Sequence, residues 1–321
     1  MGALELNRAY SVIVSTQRKG FITMKILRFL SSILIMSWLF FSQVAYAEQA
    51  WLKPYYMASQ SNGALPEVVK TTTSALSSAG FSIVGTYQPY AGATVISVTN
   101  DALKSAAAKT EFGGYGAVIR VAVTKVGDKV QVSYVNPAWM AASYKMQSDL
   151  TAVSKQLASA LGGSTPYGAE DPGWKADQLD EFHFTVFMPY FDDPFELAEH
   201  SSYDVAIKAL EAGLAAGKGG TAKVFRVDIP GKKQSLFGVS LNKSSGSAGD
   251  EHIMRLIDGG NLKQTAHLPY SVLVSGGNVY ALHAKFSIAN AFPDLDMSTF
   301  FKIQDAPDAI EGALKQAAGG E

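Results

Sequence analysis

The sequence predicts an α+β protein built from two similar βαββαββα modules, each a small sheet with helices packed on it. Three observations carry this. An alternating hairpin, "VTKVGDKVQVSYVNP" from Val123 to Pro137, is written again as "VLVSGGNVYALHAKF" from Val272 to Phe286. The periodic segments before each hairpin come in the same order. Turn residues also recur at nearly constant spacing: Pro230 follows Pro89 by 141 residues and Gly276 follows Gly127 by 149. The difference of eight fits a loop insertion near the Ser/Gly stretch at 244–249.

In the first copy, "WLKPYYMASQ" reads as a strand. Leu65 to Ala79 places Leu65, Val68, Val69, Thr72, Ala75, Leu76 and Ala79 on one helical face, with Gly80 where a helix ends. "FSIVGTY" and "ATVISVT" are strands around the turn-forming Pro89 to Gly92. Asn100 or Asp101 caps a short helix carrying Leu103 and Ala106. The hairpin turns at Gly127-Asp128. A helix from Asp149 to Leu161 closes the copy.

The second copy is expected to open with "FHFTVFM" as a strand. Ser202 caps a helix running to Ala216, with Val205, Ala209, Leu210, Gly213 and Leu214 on one side. "AKVFRVDI" and "QSLFGVSL" are strands around Pro230-Gly231. A short helix carries Ile253, Met254 and Ile257, the hairpin turns at Gly276-Gly277, and a last helix spans Pro307 to Ala318. Between the copies, "GGSTPYGAEDPGWKADQLDE" is rich in Gly, Pro and charge and reads as a linker. The expected division is 48–163, a linker at 164–180, and 181–321, with the two modules packed as an intramolecular pseudo-dimer.

The N-terminus stands apart. "MKILRFLSSILIMSWLFFSQVAYAEQA" begins at Met24 with Lys25 and Arg28, continues through an apolar run from Phe29 to Ser42, and ends on Ala45-Tyr46-Ala47. These are the three parts of a secretory signal peptide, with cleavage expected after Ala47 and residues 1–23 read as a mis-started extension. The run is 14 residues, short of the ~20 that span a bilayer. The expected location is therefore the periplasm or outside, with no permanent membrane anchor. Removing 1–47 takes away five basic side chains and one acid, leaving 22 basic and 27 acidic, a net charge of −5. No Lys/Arg cluster remains, so nucleic acid is not an expected partner. There is no cysteine, which excludes disulfides, thiolate nucleophiles and Cys-based metal sites.

"GAVIRVAVTKVGDKVQVSYVNPAWM" resembles the end of the bacterial domain-of-unknown-function family 302 (DUF302): a strand, a hairpin with a Gly-containing turn, and a closing Val-Ser-Tyr-x-x-Pro. "TSALSSAGFSIV" is similar to that family's opening helix and strand, and "HLPYSVLVSGGNVYAL" to its Leu-Pro lead-in. The first copy has Arg120 where that Pro would stand, and the second lacks the Asn-Pro exit. The resemblance implies two tandem copies of a compact α+β fold, the second divergent, and no established activity.

All five histidines (His183, His200, His252, His267 and His283) fall in the second copy. Sheet pairing would bring His183 and His283 together. Glu196 and His200 at i,i+4 on a helix, with Glu199 adjacent, would make an incomplete metal site. The competing reading of "FDDPFELAEH" is a helix start, with Asp193 as N-cap and Pro194 at the first position. "FPDLDM" offers Asp294 and Asp296 in a solvated loop. No nucleotide-binding glycine motif and no G-x-S-x-G elbow occurs, and no cofactor is expected. The sequence favours a non-catalytic module binding a small molecule or a periplasmic protein. A metal-dependent or metal-handling role for His183, His283, Glu196 and His200 is the alternative.

Overall fold

Alternation of apolar and polar residues makes the strands, and capping residues set the helix ends. The computed structural model describes residues 50–162, 165–244 and 246–320; the expected extension and signal peptide lie outside them. The first half contains β1 (Tyr55–Ser61), α1 (Leu65–Ser78), β2 (Ser82–Tyr87), β3 (Ala93–Thr99), α2 (Asp101–Ala107), β4 (Ile119–Val126), β5 (Lys129–Val135), α3 (Pro137–Ser143), α4 (Thr151–Leu161) and β6 (Thr165–Tyr167). The second half contains α5 (Ala176–Asp180), β7 (Phe195–Glu199), α6 (Tyr203–Ala215), β8 (Ala222–Asp228), β9 (Gln234–Ser240), α7 (Asp250–Ile257), β10 (Tyr270–Ser275), β11 (Asn278–Ala281), α8 (Ala284–Ala291), α9 (Met297–Lys302) and α10 (Ala306–Ala318). Single 3₁₀ turns at Gly113–Gly116 and Thr265–His267 lead into β4 and β10. No helix among the described residues is long and apolar enough to cross a membrane.

The protein is α+β, with two antiparallel sheets. One runs β2-β3-β4-β5-β1-β6 and the other β8-β9-β10-β11-β7. Strand for strand, the first five positions of one repeat in the other. The register repeats as well: Ser82 faces Thr99 and Ala222 faces Ser240. Both pairs slip by one residue at the same place, at Val84 in β2 and Val224 in β8. The hairpin turns match, with Gly127 and Gly276 both at positive φ (62° and 58°), a region that glycine enters without a Cβ clash. Local signals hold the helices as read: Asn100 accepts the Leu103 N–H at 2.8 Å, and Ser202 accepts that of Val205.

Three expectations differ from what is observed. Residues 182–188 form no strand; the chain turns there, with Phe187 at φ 68°. The first strand of the second sheet is Phe195–Glu199, where Asp193 and Pro194 had suggested a helix start. Its edge pairing with β11, Phe195 opposite Ala281 and Ala198 opposite Val279, overrides the capping signal. The segment expected to link the copies is built into the first sheet. β6 pairs with β1, Trp174 bridges to Leu52, and Phe182 packs edge-on against Trp139 and Trp174.

Residues from Ala50 onward form one compact unit. β3 and β9 occupy equivalent places, and all seven residues of each are buried, so both faces of each are covered. On one face lie helices of the same module, α1 on β2–β5 and α6 on β8, β10 and β11. The other module covers the opposite face. The Thr265–His267 turn sits on β3, β4 and β5, and the Gly113–Gly116 turn sits on β9 and β10. The contacts come in matched pairs. The Thr124 hydroxyl donates to that of Thr265 at 2.9 Å, and a Cβ on Gly114 would come within 2.5 Å of Leu273, the counterpart of Thr124. Gln131 clasps Asn261 O at 2.6 Å, and Tyr280, its counterpart, meets Phe112 edge-on at 5.5 Å. Arg120 donates to the carbonyl of Pro269, its own counterpart, at 3.3 Å, which places the pair beside the pseudo-twofold axis.

The β2 and β8 edges also meet. A Cβ on Gly85 would lie 2.4 Å from the Val224 carbonyl oxygen, so nothing larger than glycine fits without moving backbone. Gly85→Ala is therefore expected to lower unfolding stability by roughly 1–3 kcal/mol, read by urea denaturation. A variant as stable as the parent would contradict the close approach.

Candidate functional site

The end of α7 and the loop after it, up to Gln264, form one wall of a wide cleft. Amphipathic packing buries Ile253, Met254 and Ile257 of this helix. The loop carries "DGGNLKQ" and is held by both modules. Gln131 of β5 receives the Lys263 N–H at 3.0 Å, and the Tyr167 hydroxyl donates to Lys263 O at 2.6 Å. Asp258 folds the loop back on itself: both carboxylate oxygens accept the Gln264 N–H at 3.1 Å, and Lys263 Nζ donates to the Asp258 carbonyl at 2.6 Å. Burial pushes the Asp258 carboxyl up to about 6, partly offset by the Gln264 N–H and the Lys263 charge.

The opposite rim comes from Tyr167 to Glu170 and from the 292–296 loop with the first turn of α9; Asp294 and Asp296 are exposed there, whereas Phe292 is buried. The two segments are tied by the Glu170 N–H, which donates to Asp294 Oδ2 at 2.5 Å. Partial desolvation and then the neighbouring Glu170 raise the Asp294 carboxyl. Asp296 is the N-cap of α9. It accepts from the Thr299 N–H at 3.0 Å, from the Thr299 hydroxyl at 2.8 Å and from the Ser298 hydroxyl at 2.5 Å, which hold it well below the usual carboxylate range.

The cleft between these walls has a volume of ≈560 Å³, within the size of small-molecule sites. Leu256, Ile257, Leu262, Phe292 and Leu295 give it apolar surface. Glu170, Asp294 and Asp296 put three carboxylates on its rim, and no Lys, Arg or His lines it. Gln264 also lines it, although its Oε1 is sealed from solvent and has no partner among the described residues. Such a surface accepts hydrogen bonds and positive charge and solvates an apolar body.

The histidines singled out in the sequence serve other contacts. His183 lies in the 182–193 loop, 4.6 Å ring to ring from Tyr190, and its Nδ1 lies 3.2 Å from Glu181 O. His283 caps α8, accepting the Lys285 N–H at 3.2 Å, with its ring 3.9 Å from that of Phe195. Burial lowers its pKa to about 4. β11 pairs with Phe195–Glu199, so the sheet does not unite His183 with His283. Glu196 and His200 belong to strand β7 and its end and do not share a helical face. His200 Nε2 lies 3.0 Å from Ala318 O at the end of α10. Among the described residues no three His, Asp or Glu side chains could hold a metal ion together. Asp258, Leu262 and Gln264 were not singled out in the sequence; the only hint was a Gly-Gly loop directly after an amphipathic helix.

No protein-family model, no curated protein and no solved structure matches the chain.

Asp250, the first residue of α7, is fully buried and accepts the Leu241 N–H at 3.0 Å. Burial raises its carboxyl from 3.8 to about 7. The folded protein therefore holds this proton more tightly than the unfolded chain does. The stability it confers is fully present below about pH 4 and is lost as pH rises through about 7. The stability of the parent relative to Asp250→Asn should fall between about pH 4 and pH 8, by up to about 4 kcal/mol. Urea unfolding at each pH measures this, and parallel pH profiles would contradict it.

Proposed function

We propose that this chain is an exported, non-catalytic binding module that takes a small amine- or hydroxyl-bearing molecule with an apolar body into the cleft beside α7. One observation carries the reading: three carboxylates stand over apolar walls, and no Lys, Arg or His lines the cleft. Charge and hydrogen bonding would orient the polar end of the ligand, and the leucines and Phe292 would shield its body. The cleft forms where the segment after β6 meets the second module, so ligand affinity is coupled to the joining of the two. The resemblance to DUF302, a family with no established activity, is compatible with binding rather than turnover. Export rests on the three-part leader at 24–47.

Thermal-shift titration with alkyl and aromatic primary amines, and with the matching carboxylic acids, tests the reading. The amines are expected to raise the melting temperature and the acids to leave it unchanged. Asp294→Asn should weaken the amine effect, and Leu262→Arg should abolish it by placing a cation in the cleft. Equal response to amines and acids, or an amine effect that survives Leu262→Arg, would contradict the assignment.

A further inference from the structure

A second, smaller cavity lies inside the joint between modules. Its volume is ≈20 Å³, enough for a particle about the size of one water. Arg120 of β4 enters from the first module and His267 from the second, and Tyr55 and Tyr144 complete its polar lining with Asn290 and Ser287. The Asn290 amide is committed: its Oδ1 accepts the Trp139 Nε1–H at 2.6 Å, and its Nδ2 donates to Ser143 at 3.1 Å.

The remaining groups are unbalanced in one direction. Arg120 carries a guanidinium, a donor with no acceptor atom. Among the described residues its one hydrogen bond goes to Pro269 O, its Nε–H is sealed from solvent with no acceptor, and it joins none of the ion pairs. His267 is 3% exposed, touches Tyr270 and Phe292 only through ring edges, and leaves Nε2 without a partner. No Asp or Glu lines the cavity. A buried polar group without a partner is costly, and a buried charge without one is more so. A negative particle of water size in the cavity would sit among Arg120, His267 and the phenols of Tyr55 and Tyr144, which line it together.

We propose that this cavity is a halide site, holding a chloride-sized anion between Arg120 of one module and His267 of the other. The ion would neutralise the guanidinium at the pseudo-twofold axis and tie the modules together. Polyatomic anions would be excluded by size.

The test compares melting of the full protein in sodium chloride or bromide with melting in sodium isethionate at equal ionic strength. The halides should raise the melting temperature, by roughly 3–5 °C per tenfold concentration above the dissociation constant. Isethionate should not, and Arg120→Gln should remove the halide-specific increment. Crystals grown in bromide should show an anomalous peak in the cavity, a reading that holds even if Arg120→Gln fails to fold. A cavity with ordered water and no bromide signal, or a halide increment unchanged in Arg120→Gln, would overturn the proposal.

Discussion

Each sheet has an inner face of small, polar and apolar residues that its own helices leave open, and the structure depends on the other module covering it. The device is small: a single 3₁₀ turn from each copy laid across the strands of its sibling. Burying one Val, Leu or Ile side chain is worth about 1.5–3 kcal/mol, whereas a typical internal hydrogen bond nets about 0.5–1.5 kcal/mol. The apolar part of the joint therefore lies in residues such as Val95, Ala122, Leu236 and Leu273, which share the faces of Thr124 and Gln234 and are all buried. The bonds from Thr124, Gln131 and Tyr167 to the Asn261–Thr265 stretch set the register in which that surface meets.

The two modules meet at matched positions through different chemistry. At one matched contact the interface is polar, Gln131 against Asn261; at its mate it is aromatic, Tyr280 against Phe112. Thr124 meets a threonine where Leu273 meets a glycine. Such swaps keep the volume of a joint while changing its chemistry. They leave the two ends of the joint unlike, with the acidic cleft beside α7 and the Arg120–His267 cavity each drawing on residues from both modules.

Much of this architecture was legible in the sequence because the repeated information was local. Alternation around Gly127 and Gly276, the helix faces of α1 and α6, and the caps at Asn100 and Ser202 are all near-neighbour patterns. Phe195–Glu199 was misread because Asp193 and Pro194 give a genuine helix-start signal, and only pairing with the distant β11 defeats it. Short helices such as α3 and α8 were hidden at hairpin exits, where strand alternation runs on into helix. The candidate site was least legible. Asp294 and Asp296 attracted notice as acids in a loop, but their facing wall, Leu262 and Gln264, is brought there by contacts to Gln131 and Tyr167 about 100 residues or more away. The five histidines drew attention by their chemistry and are dispersed: His283 at a cap, His183 in a ring contact, His200 against the end of α10, His252 beside Arg255 and His267 in the buried joint.

Native-state amide hydrogen exchange of β3 and β9 tests the central claim most directly, because these equivalent strands are buried on both faces only while the modules cover each other. If the two modules form a single cooperative unit, the slowest amides of both strands will open with one common free energy, and denaturant will lower both in parallel. Two distinct opening energies, with β9 still protected after β3 has exchanged or the reverse, would contradict it.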